Sequence, residues 1–174
     1  MEEEFRHIIV NDKIHTWYSI SNLGRVKSHV NKSGDKIIKG TKNAKGARYV
    51  NLSFPDHFYD DWKYYSKSSN TVERKLYVHQ LVMSAFRPIS QFPPDMLKDC
   101  WKDIPEPAQK WIADTIIINH IDHNPSNNKL DNLEYVTPRQ NTQKAVEFYS
   151  IHGQNKKKEI IESNEFRHEL FEGL

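Results

Sequence analysis

The stretch from Thr115 to Gly153 leaves little freedom in how it can fold. Thr115 to Asn119 is β-branched and apolar, which favours a buried strand and puts His120 at the strand's end. Ile121 to Asp131 is almost entirely Asp, Asn, Pro and Ser, the composition of an ordered, turn-rich loop. Leu133 to Val136 reads as a second strand. Thr137 then suits a helix N-cap, Pro138 the first helical position, and Gln140 the far end of a capping box. The helix is expected to end near His152, with Gly153 as its stop. Asn141, Ala145 and Phe148 recur on one helical face, so Asn141 is expected in the first turn of the face that packs on the hairpin, able to look toward His120.

The ordered set Asn119-His120, Asp122, Asn124, Asn127-Asn128, Asn132-Leu133, Val136-Thr137 and Asn141 resembles the ββα-metal core of HNH endonucleases of the phage and intron homing type. The run Val78 to Phe86 looks like the short helix that precedes such cores, and Tyr18 to Ser28 looks like the nuclease-associated modular DNA-binding element often fused to them. The matches cover about residues 16–54 and 77–149. The resemblance implies an α+β fold, an N-terminal antiparallel β-rich module followed by a ββα-metal (HNH) nuclease core. The expected divisions are a β-rich DNA-binding module over 1–54, a loop or linker over 55–76, and the nuclease core over 77–153. A helical insertion is expected at 91–114, and 154–174 reads as a charged tail with helical character.

Phosphodiester hydrolysis needs an activated water, a stabilised phosphate and help for the departing 3′ oxygen. Histidine, with an ordinary pKa of about 6.5, can act as general base at neutral pH. The resemblance gives that role to His120. It assigns the ligands of a divalent metal ion to Asn119 and Asn141, and gives Asn132 the task of bracing the loop and orienting His120. The expected ion is Mg²⁺, with Mn²⁺ able to substitute, because a hard cation keeps waters and recruits phosphate oxygens. Two positions depart from the family pattern. Asn119 stands where Asp is frequent, so weak metal affinity without DNA is expected, and Asp122 either compensates or makes a structural turn bond. His123 replaces the loop glycine and either touches a phosphate or accommodates the bend.

Taken singly, a histidine at a strand end or an Asn-rich loop is ordinary structure; only the ordered motif makes His120 a base. Asn124, Asn127 and Asn128 read as turn residues, and His79 as structural. His7, His15, His29, His57, His152 and His168 show no ligand spacing and read as solvated surface.

Net charge is only +2, but it is unevenly spread. Between Ile20 and Val50 stand Arg25, Lys27, Lys32, Lys36, Lys39, Lys42, Lys45 and Arg48 against Asp35 alone, eight minus one or +7. The segment also reads as short strands at Trp17–Ile20, Arg25–Val30, Lys36–Lys39 and Arg48–Phe54. A twisted ribbon bearing these cations can follow DNA phosphates or enter a groove; the plainer reading is a solvated lysine-rich surface. Cys100, the single cysteine, excludes a disulfide framework and a cysteine-cluster zinc site. No apolar run is long enough to span a membrane, and Glu2-Glu3-Glu4 is unlike a signal peptide, so a soluble, cytoplasmic protein is expected. In the insertion, helical patterns start at Pro94-Asp95 and Pro105-Glu106-Pro107, and Trp101 and Trp111 are expected to pack on the body.

The expected activity is metal-dependent hydrolysis of double-stranded DNA by a homing-type HNH endonuclease, with no small-molecule cofactor. A dimer or protein partner is left open. The rival readings are a non-catalytic DNA-binding regulator on a decayed nuclease scaffold, favoured by Asn119, and a nuclease for RNA or structured nucleic acid.

Overall fold

The computed structural model describes residues 2–30, 33–55 and 71–153. Lys32, His57, His168, most of the expected linker and the expected helical tail lie outside the described residues. The chain divides into two compact units, 1–135 and 136–174.

The first unit begins with a hairpin that the sequence reading overlooked. β1 (Phe5–Val10) and β2 (Lys13–Ser21) pair antiparallel, Val10 opposite Lys13, across a two-residue turn. Asn11 and Asp12 both adopt positive φ, 49° and 59°, the mirror-image turn that matches strand twist and that Asn and Asp tolerate. Asn-Asp between two alternating runs was the signal available. β3 (Val26–Ser28) and β4 (Lys36–Ile38) complete this sheet in the order β1-β2-β3-β4. A second sheet holds β5 (Thr41–Lys42), β6 (Arg48–Pro55) and β7 (Thr71–Tyr77). Pro55 pairs with Thr71 and Tyr49 with Tyr77, so residues 71–77 are strand rather than linker.

α1 (Val78–Phe86) follows β7 without a break and buries Val78, Leu81, Val82, Met83, Ala85 and Phe86. These meet Ile8 and Val10 of β1, Tyr18 and Ile20 of β2, Val26, Val50, Leu52, Phe54 and Leu133 in one core. Each such side chain contributes about 1.5–3 kcal/mol of transfer energy. The expected boundary at residue 54 therefore runs through a shared core: strands of the β-rich segment and the helix opening the nuclease core bury one another's apolar faces. β1 also fastens the end of α1, because Arg6 Nη1 donates to the Ala85 carbonyl at 3.4 Å and its guanidinium lies 4.6 Å over the Phe86 ring. Phe54 joins the sheets, edge-on to His15 at 4.7 Å and Tyr18 at 5.6 Å. His15 is buried, not solvated surface as expected. Burial lowers its pKa, partly offset by a hydrogen bond to the Val10 backbone.

The insertion contains single 3-10 turns at Asp95–Leu97 and Trp101–Asp103, then α2 (Glu106–Thr115). Trp101 is buried as expected, and Gln109 Nε2 ties α2 to the turn by donating to the carbonyls of Trp101 and Ile104 at 2.8 and 2.9 Å. Trp111 is 68% exposed, against expectation. α2 has no fully buried residue, so its indole finds no cover among the described residues. Thr115 ends α2 rather than opening a strand. Its hydroxyl donates to the Trp111 carbonyl at 2.7 Å, and β8 (Ile117–His120) starts after the extended Ile116. β8 pairs with β9 (Leu133–Val136) in a two-stranded sheet.

In the second unit a helix, α3, spans 138–153. The capping box forms as the sequence implies: Gln140 N donates to Thr137 Oγ1 at 3.2 Å, and Thr137 N donates to Gln140 Oε1 at 2.9 Å. Gly153 is still helical where the described residues end, so it does not act as a stop within them. Asn141, Ala145 and Phe148 are half-buried, whereas Val146 and Tyr149 are exposed. Thr137→Ala removes one half of the box and is expected to cost about 1 kcal/mol. Loss of helical signal on thermal melting of the full chain measures it.

Candidate active site

His120 ends β8, and the loop after it is tied to itself by amide side chains. Asp122 Oδ1 accepts the Asn124 backbone N–H at 2.9 Å and Asn132 Nδ2 at 2.9 Å, while its Oδ2 accepts Asn127 Nδ2 at 2.7 Å. Burial pushes the Asp122 carboxyl up, but the hydrogen bonds from Asn127, Asn124 and Asn132, with His120 nearby, hold it below its ordinary value. Of the two readings of Asp122, the structural turn bond is the one that forms. His123 takes φ 55°, the left-handed conformation that a glycine there would adopt freely. Its backbone N–H donates to the His120 carbonyl at 2.9 Å, so the bend is hydrogen-bonded in place.

Asn132 braces the loop. Its Oδ1 accepts the Asp122 N–H at 3.1 Å, and its Nδ2 also donates to the Asn127 carbonyl at 2.8 Å. The atom that meets His120 is a different one: Asn128 Oδ1 lies 3.0 Å from His120 Nε2. Asn128 Nδ2 donates to the Ser126 carbonyl at 3.2 Å, which orients the amide so that its oxygen faces the ring. An oxygen acceptor obliges Nε2 to carry the proton, and in a neutral imidazole the lone pair is then on Nδ1. Asn128 is 4% exposed, and its bond to His120 is the site feature that sequence reasoning missed, having read the residue as a turn. Several asparagines crowd this loop, and spacing alone does not say which one reaches the histidine.

Asn119, also buried, donates from Nδ2 to Glu134 Oε1 at 2.8 Å. That bond leaves the amide oxygen as the atom able to meet a cation. Asn141 lies in the first turn of α3 in the second unit, its N–H donating to the Thr137 carbonyl at 3.0 Å. Among the described residues no group of three or more His, Cys, Asp or Glu can hold a metal ion. The Asn119 amide oxygen suits a hard cation that retains waters and takes phosphate oxygens better than a zinc centre.

His79, at the start of α1, stands with its ring edge against His120, centroids 5.2 Å apart, and stacks on Tyr77 at 5.6 Å. Its Nδ1 is buried without a hydrogen-bond partner. Burial, and then the neighbouring His120, push the His79 pKa down to about 4. Its ring thus borders the candidate base rather than serving the core alone. The folded state binds this proton less readily than the unfolded chain, so stability is fully present above pH 6.5 and is lost as pH falls toward 4. A shift from 6.5 to about 4 corresponds to about 3 kcal/mol. His79→Phe is expected to remove that component, flattening the fall in unfolding free energy between pH 6.5 and 4 in urea titrations.

The cations of the β-rich segment are not equivalent. Arg25, Lys39, Lys42 and Arg48 line a groove of about 410 Å³ floored by Val26, Ile37, Ile38, Val50 and Val78. Lys36 and Lys39 border a neighbouring depression with Ser28 and Asn51. Arg25 is ion-paired with Glu3. Lys27 lies 3.8 Å from Asp35 and 4.0 Å over the Phe5 ring, so both charges are already engaged. Lys45 sits in the turn Asn43–Ala47, whose Gly46 carbonyl accepts Ser126 Oγ at 2.8 Å. That places a cation beside the loop that carries His120. His29 is not solvated surface either: its Nδ1 meets Asp35 at 2.8 Å and its Nε2 meets Ser19 Oγ at 2.7 Å.

Residues 108–143, which contain the His120 hairpin, match the family model of HNH endonucleases. Residues 3–53 match the NUMOD4 motif. The chain therefore carries an HNH endonuclease domain, preceded by a NUMOD4 motif that spans β1 to most of β6. A similar solved structure is that of the HNH homing endonuclease I-HmuI, described as showing DNA binding and cleavage. It is 22% identical, with a TM-score of 0.46, and the match covers 92% of this chain and 66% of that one, about two thirds of its length. No curated protein matches the chain. No helix among the described residues is long and apolar enough to cross a membrane.

Proposed function

We propose that this protein is a metal-dependent HNH endonuclease that hydrolyses phosphodiester bonds of double-stranded DNA, in the manner of a homing endonuclease. The observation carrying this reading is the fixed imidazole: Asn128 Oδ1 holds His120 Nε2 at 3.0 Å and so leaves Nδ1 as the base, within a segment that matches the HNH family. His120 takes a proton from the attacking water through Nδ1. Asn132 keeps the loop closed behind it. Asn119 and, from the second unit, Asn141 are the proposed cation ligands, with Mg²⁺ the expected ion and Mn²⁺ able to replace it. Such a cation, when bound, supplies Lewis-acid stabilisation of the phosphate and the departing oxygen. The groove cations Lys39, Lys42 and Arg48, with Lys36 and Lys45 beside them, hold the DNA backbone.

A regulator that binds DNA without cutting it is the second reading, favoured by Asn119, whose neutral amide is tied to Glu134 where a carboxylate would hold metal more tightly. Supercoiled plasmid separates the two. Nicked or linear product with Mg²⁺, and none with EDTA, is expected; intact plasmid under both conditions, with retained binding, supports the regulator. A duplex RNA substrate run in parallel is expected to remain uncut.

A further inference from the structure

The NUMOD4 segment contains a turn, Ser21 to Arg25, whose polar groups are spent on holding the chain together. Ser21 is fully buried, and its Oγ accepts the N–H groups of Leu23 at 3.3 Å and Arg25 at 2.9 Å. Asn22 is 4% exposed; its Oδ1 accepts Glu4 N at 3.0 Å and its Nδ2 donates to the Glu2 carbonyl at 2.8 Å. Neither side chain is left to read DNA. The turn instead faces the catalytic loop. The Asn22 carbonyl accepts Leu130 N at 2.8 Å. Gly24, at φ +77°, lies so close to Asn128 that an added Cβ would sit 2.9 Å from the Asn128 Cβ and 3.0 Å from its carbonyl oxygen. Both atoms ride on the Asn128 backbone, and that stretch is held on either side by Ser126 Oγ on the Gly46 carbonyl and Leu130 N on the Asn22 carbonyl, so they have little room to yield. The side chain of the same Asn128 fixes the ring of His120.

We infer that the Ser21–Arg25 turn belongs to the catalytic apparatus, with Gly24 and Asn128 acting as positioning residues for His120. Gly24 sets the place of the Asn128 backbone, and Asn128 sets the orientation and tautomer of the imidazole. A second clasp, Ser126 Oγ on the Gly46 carbonyl, holds the same loop from the Asn43–Ala47 turn. The β-rich segment thus does two jobs, carrying cations on its groove and seating the base from its turns. The inference rests on the nuclease reading for its effect on rate, but not for its effect on the ring.

The test uses the full chain labelled with ¹⁵N-histidine, with the His120 ring signals assigned by His120→Gln and recorded above the titration range of histidine. The wild type is expected to show the Nε2–H tautomer. Asn128→Leu, nearly isosteric but without an acceptor, is expected to give a mixture of tautomers. Gly24→Ala is expected to do the same by displacing Asn128. Asn128→Asp keeps an acceptor oxygen and is expected to restore the Nε2–H form. In cleavage assays Asn128→Leu and Gly24→Ala are expected to lower kcat by about 10²-fold, the scale of a misplaced catalytic group, with DNA affinity unchanged in Asn128→Leu; Gly24 also lines the cationic groove, so its binding is measured separately. A His120 tautomer unaltered by Gly24→Ala overturns the inference, as does an unaltered one in Asn128→Leu. Should Gly24→Ala fail to fold, the contrast between Asn128→Leu and Asn128→Asp still decides whether Asn128 positions the base. A wild-type protein that cuts nothing would remove the nuclease reading while leaving the tautomer result to judge the positioning.

Discussion

His120→Ala is expected to lose most cleavage activity while retaining DNA binding. A positioned general base contributes about 10²–10⁴-fold to the rate, and loss on that scale is expected in single-turnover kcat. The separation from binding reflects where the charges are. Lys39, Lys42 and Arg48 line a groove built by β3 to β6, whereas His120 ends β8 and is bonded to Asn128. Removing the imidazole leaves Asn128 Oδ1 without its partner, a modest stability cost of about 1–3 kcal/mol that thermal melting reports separately. Cleavage by His120→Ala at the wild-type rate would show that another group activates the water.

The joint substitution Lys39→Ala, Lys42→Ala and Arg48→Ala is expected to weaken DNA binding and make it less sensitive to salt. Each phosphate neutralised by a cation releases a counterion, with a slope of about −0.9 in log K against log salt. Three lost contacts should reduce the magnitude of the slope by about 2.7, and affinity near 0.1 M salt should fall on the order of 10²-fold. Arg25→Ala provides the internal comparison. Glu3 already neutralises that guanidinium, so its removal is expected to move the slope much less. Binding titrations across a salt series read both; an unchanged slope in the triple variant would take the groove out of the interface.

Some parts of this molecule were readable because their signals are local. The Thr137-Pro138-Gln140 box, the Asp122 and Asn124 turn bonds and the strand before His120 each depend on residues a few positions apart, and each forms. Other parts depended on distant partners. Nothing near Arg25 or Lys27 announces that Glu3 and Asp35 will occupy their charges, so a strip counted as +7 presents fewer open cations than its composition suggests. The role of Asn128 was illegible for a related reason: among the asparagines of one loop, the one that reaches His120 is packed against Gly24, more than a hundred residues earlier in the chain. β1 was a different kind of miss. Its charged start masked the buried Ile8 and Val10, although Asn11-Asp12 marked the hairpin. Trp111 shows the opposite failure, since hydrophobicity alone argued for burial and α2 offers it no core face.

The central claim is that water, activated at His120 with a divalent cation present, breaks a phosphodiester bond in duplex DNA. Cleavage in H₂¹⁸O with Mg²⁺, followed by mass analysis of the new DNA ends, tests it most directly. One ¹⁸O in a 5′-phosphate opposite a 3′-hydroxyl, with no product in EDTA or from His120→Ala, is the expected result. Unlabelled ends, or labelled ends formed equally well without metal or without His120, would contradict it.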